Sequence, residues 1–306
     1  MSVLSEPQYH NEAAAYAFVE AHVWPDGRIC PHCGAIGESG PLRGKSTRIG
    51  VYKCYACRKP FTVKVGTIFE SSHIKLHIWL QAIFLLCSSK KGISSNQLHR
   101  ILGVTLKTAW FMSHRIREAM RDGKLPGGLG GEGSFVEADE TYVGGKAKNR
   151  AYKPPPPKEA VIALVERKGR VSSFHVADVN AANLKPILAD QISAKSHLRT
   201  DESGVYWEAG EGFASHQTVN HSAKEYVRGD AHTNTVEGYF SILKRGIIGV
   251  YHHVSQEHLK RYLAEFDFRY NERIALGIDD VERTSRALRG VIGKRLTYRT
   301  THRTRA

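Results

Sequence analysis

The sequence lacks long hydrophobic runs. Its longest strongly apolar stretch, Ile78–Cys87, contains Gln81 and is too short to cross a lipid bilayer. No basic start followed by an apolar run is found at the N-terminus, so a secretory signal peptide is not expected. These absences exclude an integral membrane protein of the helical type and predict a soluble, cytoplasmic protein.

Cysteine is also scarce, with five in 306 residues. A small secreted domain stapled by disulfides has a much higher cysteine content, so that class is excluded. A chain of this length can bury a substantial core without cross-links and corresponds to about two domains.

Acidic residues are in the minority. The chain has 44 Lys and Arg against 30 Asp and Glu, a formal charge of +14. Three segments concentrate this excess, namely 28–64 with +7, 90–124 with +6 and 281–306 with +7. Each segment alone could be an ordinary solvated surface. Together they favour a polyanionic partner, with double-stranded DNA or another nucleic acid ahead of a membrane surface.

Four of the cysteines form two C-x2-C pairs, Cys30 with Cys33 and Cys54 with Cys57. This spacing is typical of a structural tetrahedral Zn²⁺ site, in which two knuckles each supply two thiolates. The alternatives are a pair of disulfides or a redox C-x-x-C motif. Alternating residues over 50–53 and 61–65 predict the strands of a zinc ribbon, and we assign residues 1–66 to this N-terminal segment.

Residues 67–126 have the pattern of a helical segment. Apolar residues recur at helical spacing over 76–86, and two further helices follow, with a serine cap before Leu98 and Thr105 capping the second. The turn between them contains Gly103, so the pattern is that of a helix-turn-helix, although plain helical hairpins look alike. The basic side chains on the second helix that suit DNA contact are Lys107, Arg115 and Arg117. A glycine-rich linker over 127–131 ends the segment.

An acidic strand opens the next domain. Period-two alternation over 134–143 puts Glu137, Asp139 and Thr141 on one face and Glu140 on the other. The pattern then predicts a hairpin from strands 161–167 and 171–177, a helix over 180–192, a strand over 197–202 and a helix over 234–244.

Three carboxylates on separate elements could therefore meet in one site: Asp139, Asp201 and Glu237. Such oxygen ligands suit Mg²⁺ or Mn²⁺, and two ions about 4 Å apart can activate the attacking oxygen and stabilise the leaving oxygen in phosphoryl transfer. Each acid taken alone could equally be a surface residue or a helix cap. The element order predicts an α/β fold with a ribonuclease-H-like core over 132–275, followed by a basic C-terminal tail over 276–306.

Several stretches give the sequence a family resemblance: CPHCG, YKCYACRKPFTVKVGTIFE, VEADETYVGGK, RTDES and HTNTVEGYFSILKRGIIGVYHHVSQEHLKRYLAEFDFRYNER. From Cys30 to about Arg273 the chain resembles the zinc-ribbon DDE transposases of bacterial insertion sequences, the ISXO-two-like group. The resemblance implies that Asp139, Asp201 and Glu237 are the catalytic metal-binding acids. Some relatives carry Asn as the third ligand, so Asn234, one helical turn before Glu237, is the alternative.

The resemblance also implies that Lys244, with Arg245 beside it, contacts DNA at the element ends. It implies a nucleoid-associated enzyme that binds terminal inverted repeats, cleaves the ends and joins the 3′-OH groups to target DNA. A homodimer or higher oligomer on DNA is expected, because two ends must be processed together. The alternatives are a metal-dependent nuclease or recombinase without strand transfer, and a DNA-binding regulator with an inactive core.

Overall fold

Both helices and strands occur in the computed structural model, which describes residues 2–121, 128–145 and 157–297. The chain divides into two units, one formed by Met1–Arg121 with Ile278–Ala306 and the other by Asp122–Gly277. Within the described ranges, no helix is both long enough and apolar enough to cross a membrane.

The elements are numbered in chain order. The helices are α1 (Glu12–Val23), α2 (Leu76–Ser88), α3 (Ser95–Leu102), α4 (Leu106–Met120), α5 (Ala181–Gln191), α6 (Trp207–Gly210), α7 (Asn234–Gly246), α8 (Gln256–Asn271) and α9 (Asp280–Arg289). The strands are β1 (Ser39–Pro41), β2 (Tyr52–Cys54), β3 (Pro60–Phe61), β4 (Phe135–Gly144), β5 (Lys158–Glu166), β6 (Val171–Val176), β7 (His197–Asp201) and β8 (Ser215–Val219).

A small antiparallel sheet, β1-β2-β3, lies in the first unit. Its hydrophobic cluster is built from Cys30, Cys54 and Phe61, with Trp24 and Tyr52 packed against it. The strand expected over 61–65 is shorter, since β3 ends at Phe61 and the next residues turn.

Helices α3 and α4 are capped as the sequence predicts. The Ser94 hydroxyl accepts from the Gln97 N–H at 3.1 Å, and the Thr105 hydroxyl accepts from the Thr108 N–H at 3.2 Å. Gly103 has φ +64, the left-handed conformation that ends a helix at low steric cost. The two helices of the predicted helix-turn-helix are therefore present with their tight turn.

The segment read as a basic tail contains helix α9. This helix belongs to the first unit and buries Arg283, Thr284, Ala287 and Leu288. The Arg283 guanidinium donates to the carbonyl of Cys87 at 3.0 Å. Charge counting concealed this helix, because the buried positions have helical spacing but include an arginine.

The second unit is built on a five-stranded sheet of order β6-β5-β4-β7-β8. Strands β4, β5 and β6 pair antiparallel, whereas β7 runs parallel to β4 and β8 parallel to β7. The hairpin, the helix α5, the strand β7 and the helix α7 all lie where the sequence patterns predict them. The described end of the glycine-rich linker is fixed in this unit, because Leu129 is buried in its core.

Each face of this sheet is covered by helices. On one face Ala138, Ile162 and Leu164 pack in one cluster with Leu184 and Leu188 of α5. On the other face a second cluster joins the strands to α7 and α8; its members include Val143, Val161, Ala163, Val165, Tyr239, Leu243, Leu263 and Phe266. Strand β5 is thus buried on both sides, which explains its nearly continuous apolar sequence.

A buried carboxylate joins β4 to α7. Glu137 is fully buried, and its side chain accepts from the backbone N–H groups of Thr235 at 2.7 Å and Val236 at 3.1 Å and from the Thr235 hydroxyl at 2.8 Å. These are the N–H groups that a capping side chain usually satisfies, and Thr233 at the cap position makes no such bond. Arg167 donates to the same carboxylate at 2.6 Å and balances its charge. The acid therefore fixes the start of α7 on the sheet.

Replacing Glu137 with Ala should destabilise the protein by about 3 kcal/mol or more, because it leaves buried N–H donors and the Arg167 charge without a partner. Chemical denaturation followed by circular dichroism measures this change. The control is Glu132→Ala, which removes an exposed acid just before β4 and should change stability by about 0.5 kcal/mol at most. Equal effects of the two substitutions would contradict the capping role.

Candidate functional site

The four cysteines of the two C-x2-C pairs come together in the first unit. Their sulfur atoms all lie within 4.8 Å of one another, with Cys30 Sγ 3.7 Å from Cys57 Sγ and Cys33 Sγ 3.6 Å from Cys54 Sγ. A tetrahedron with Zn–S bonds of about 2.3 Å has S–S edges of about 3.8 Å. All four are free thiols, so the disulfide alternative is wrong, and the four form a zinc-binding cluster.

Local electrostatics agree with a bound dication. Burial opposes ionisation of Cys30, but hydrogen bonds from the N–H groups of His32 and Cys33 and from neighbouring thiols lower its pKa to about 6. At Cys33 a hydrogen bond from the Ala35 N–H is outweighed by burial and by the other thiols, which raise its pKa to about 12. Cys30 thus ionises readily, whereas Cys33 resists ionisation beside the other thiols, and a divalent cation would remove that resistance.

The basic residues of the helical segment have different surroundings from one another. Lys107, in the first turn of α4, is exposed. Arg115 and Arg117, which the sequence pattern assigned to DNA contact, are 6% and 1% exposed. Arg115 donates to the carbonyls of Ile68 and Glu70 at 2.8 and 2.9 Å, so its guanidinium is engaged inside the unit. Apart from its first turns, α4 is buried nearly all round, and the assignment of these two arginines to DNA is corrected.

In the second unit, Asp139 and Asp201 lie on neighbouring parallel strands. The last paired residues of β4 and β7 are Glu137 and Arg199, and continuing that register by two residues brings the two aspartates opposite each other. Asp201 is the final residue of β7, so its side chain stands at the end of a strand, where the next segment turns away.

The two aspartates are held in an unfavourable environment for negative charge. Burial raises the pKa of Asp139 to about 7; a hydrogen bond from the Glu140 N–H opposes this, and the charges of Glu140, Asp201 and Glu237 raise it further. Burial also raises the pKa of Asp201, against a hydrogen bond from the Ser203 N–H and with a further contribution from the Glu202 charge. Desolvated carboxylates that repel one another are a candidate binding site for a cation.

Glu237 is close enough for its charge to raise the pKa of Asp139, but its carboxylate is directed to other partners. Its Oε1 accepts from the Thr233 hydroxyl at 3.1 Å and lies 3.8 Å from His221 Nε2. Among the described residues, only the cysteine cluster has three or more ligand atoms within 4.8 Å of one another. The three acids therefore form an open arrangement of hard oxygen donors, whose chemistry suits Mg²⁺ or Mn²⁺ better than a soft metal.

The other predicted residues lie along α7. Asn234 is its first residue and is exposed, and no bond ties it to either aspartate. Lys244 and Arg245 are exposed in its last turn, and Arg245 Nε donates to the Ser241 carbonyl at 3.0 Å. Glu237 and Lys244 are seven residues apart, about 10 Å along the helix axis.

Two residues near the acids were not among the predicted site residues. Glu140 accepts from the Tyr206 hydroxyl at 2.7 Å and adds a fourth carboxylate close to Asp139, on the opposite face of β4. His221 lies between Asp201 and Glu237 in a loop whose N–H groups are held by Glu202. The acid pair in β4 was visible in the sequence, but a lone histidine in a loop has no spacing that would identify it.

Replacing Cys54 with Ser should remove one of four metal ligands and lower the zinc content of the purified protein from about one ion per chain to near zero. Metal analysis measures this content. The matched control is Cys87→Ser, since Cys87 is buried in α2 outside the cluster and should leave the zinc unchanged. A Cys54→Ser protein that retains its zinc would show that the cluster is not the site.

Comparison with known proteins matches each of the two sites to a family. Residues 10–60, which include the four cysteines, match the transposase zinc-ribbon domain. Residues 128–271, which include Asp139, Asp201 and Glu237, match the ISXO2-like transposase domain. A Halobacterium salinarum protein described as an uncharacterized protein in transposable element ISH50 is 29% identical over 265 residues, covering 80% of this chain and 86% of that protein.

The cysteine cluster and the acids of the five-stranded sheet thus each fall within a matched domain, in the order zinc ribbon and then transposase domain. By these matches the chain is similar to transposases that carry a zinc-ribbon domain followed by an ISXO2-like transposase domain.

Proposed function

We propose that this transposase binds the terminal inverted repeats of an insertion sequence, cleaves its ends by metal-dependent phosphodiester hydrolysis and joins the 3′-OH ends to target DNA. The observation that carries the proposal is the burial of Asp139 on β4 beside other acids. Burial raises the pKa of Asp139 to about 7, and the charges of Glu140, of Asp201 on β7 and of Glu237 on α7 raise it further. Buried carboxylates that face one another favour the binding of a positively charged ligand, because such a ligand offsets their repulsion.

The sheet supports a ribonuclease-H-like core for the second unit. An antiparallel β4-β5-β6 meander is extended by two strands parallel to the central β4, with helices on both faces. In this arrangement the first aspartate lies on the central strand and the second at the end of its parallel neighbour.

Asp139, Asp201 and Glu237 would hold Mg²⁺ or Mn²⁺, most simply two ions. When bound, the metal ions would activate the attacking oxygen and stabilise the leaving oxygen of the phosphodiester. To join the aspartates, Glu237 would exchange its hydrogen bond with Thr233 for a position closer to them, and its side chain is exposed on α7. Lys244, farther along the same helix, would contact a phosphate of the end DNA.

Recognition of the ends would fall to the first unit. Its zinc ribbon and its α3–α4 pair supply a rigid scaffold, and Lys107 is exposed where the N-terminus of α4 could approach a phosphate. Since Arg115 and Arg117 are buried, they stay outside the proposed contact set. A homodimer or higher oligomer on DNA is proposed because two ends must be cut and joined together.

Replacing either Asp139 or Asp201 with Asn should reduce cleavage at the element ends by several orders of magnitude, because each change removes a charged metal ligand from the reacting centre. The assay is breakage of supercoiled plasmid carrying the DNA that flanks the gene, with Mg²⁺ or Mn²⁺. Asp178→Asn, which changes an exposed aspartate in the same unit, should cleave at the wild-type rate. Normal cleavage by a clean preparation of both site variants would refute the proposal.

The same assay separates the two candidates for the third ligand. Glu237→Gln should lose cleavage, whereas Asn234→Ala should retain it within about tenfold. The reason is that, of these two residues, only Glu237 carries a charge that acts on Asp139. End binding measured in parallel should be unchanged in both variants. The reverse order of the two cleavage rates would assign the ligand to Asn234.

A further inference from the structure

A cavity of about 630 Å³ opens in the second unit, at the end of α7 that is remote from Glu137. Its walls come from the end of β4, the last turn of α7, the π-helical turn Ile247–Tyr251 and the start of α8. This volume lies within the range of sites that enclose a small organic ligand, about 300–1,000 Å³.

The lining of this cavity is apolar inside and cationic at its mouth. Val143, Ile247 and Leu259 are buried and form apolar wall surface, and Ile248 at the same cavity is 50% exposed. Lys244 is exposed at the cavity, and it has no carboxylate partner among the residues that the structure describes.

Two histidines and one acid complete the polar lining. His252 and His253 are exposed beside the cavity. Glu159 is the acid among the described lining residues, and its carboxylate is already engaged by His175 Nε2 at 2.8 Å. The mouth therefore favours a ligand that carries negative charge.

The backbone at the mouth is strained. His252 has φ +61 and ψ −43, and the His253 N–H donates to the Tyr251 carbonyl at 2.7 Å, which closes a three-residue γ-turn of the rare positive-φ type. A π-helical turn directly precedes it. Both features are uncommon and concentrate at functional sites, and here they place two imidazoles beside the same opening.

We propose that this cavity receives one unpaired nucleotide of the DNA strand, with its base against the apolar wall and a flanking phosphate against Lys244 and the histidines. A nucleotide combines the two chemistries that the cavity offers, because its base has flat apolar faces and its phosphate is anionic. This inference rests on the proposed function, since it takes DNA as the substrate. Lys244 lies about 10 Å along α7 from Glu237, about three base-pair steps of 3.4 Å, so the nucleotide is within a few positions of the cleaved bond.

The experiment uses duplexes of the DNA flanking the gene, with 2-aminopurine placed at each of the positions around the expected cleavage site in turn. Binding is measured without Mg²⁺ or Mn²⁺, so that cleavage does not occur. Wild-type protein should raise the fluorescence several-fold at one position, because the probe brightens when it leaves the base stack. The rise should fall to near the paired-DNA level in Val254→Trp and in Gln256→Trp, each of which places an indole ring at the cavity.

Trp207→Ala is the control, because Trp207 is a 67% exposed aromatic residue of the same unit outside the cavity. It should keep the wild-type fluorescence. No rise in fluorescence at any position, or a full rise in both cavity variants, would overturn the inference. Metal-dependent cleavage by a protein that shows no rise would leave the proposed function intact. A rise without any cleavage would instead uphold the cavity and refute the proposed function.

Discussion

One buried carboxylate sets the geometry between the strand and the helix that carry two acids of the candidate site. Glu137 has no exposure to solvent, so its charge is stable only because Arg167 and the first N–H groups of α7 surround it. The same strand carries Asp139 two residues later, and the same helix carries Glu237 in its first turn. A single interaction therefore determines how the helical acid faces the strand acid, although Glu137 itself would touch neither metal nor DNA.

Asp139 lies on the same face of the same strand as Glu137, but its surroundings oppose its negative charge. It accepts a hydrogen bond from the adjacent Glu140 N–H. Burial raises its pKa to about 7, and the other acids that it faces raise it further. Glu137 satisfies its charge within the fold, whereas burial and neighbouring acids oppose the charges of Asp139 and Asp201. Glu137 and Asp139 thus differ in their surroundings: Glu137 holds the start of α7 on the sheet, and Asp139 belongs to the candidate site. The distinction follows from partners across the fold and not from residue type.

Local patterns in the sequence predicted much of this fold. The alternation in β4, the hairpin, the caps at Ser94 and Thr105 and the cysteine pairs all depend on residues a few positions apart, and the structure contains each of them. The hydrogen bonds that hold the start of α7 could not be predicted, because Glu137 accepts them from residues about a hundred positions away in the sequence. Helix α9 was missed for a related reason, since only tertiary packing shows that Arg283 faces inward. The resemblance and the element order predicted that the three acids share one site, but they could not predict the contacts of Glu237 with Thr233 and His221.

The net charge of the chain indicates a DNA-binding surface only once it is known which basic residues are exposed. Arginines 115, 117, 199, 269 and 283 are at most 7% exposed, and no lysine in the described ranges is buried to that extent. Arginine suits this internal role because its planar group donates several hydrogen bonds at once, as when Arg115 holds the carbonyls of two separate residues. Lysine keeps a compact, strongly hydrated charge and remains outside. Part of the +14 net charge therefore stabilises the fold, and exposed lysines such as Lys107 and Lys244 are better guides to phosphate contact than the density of basic residues.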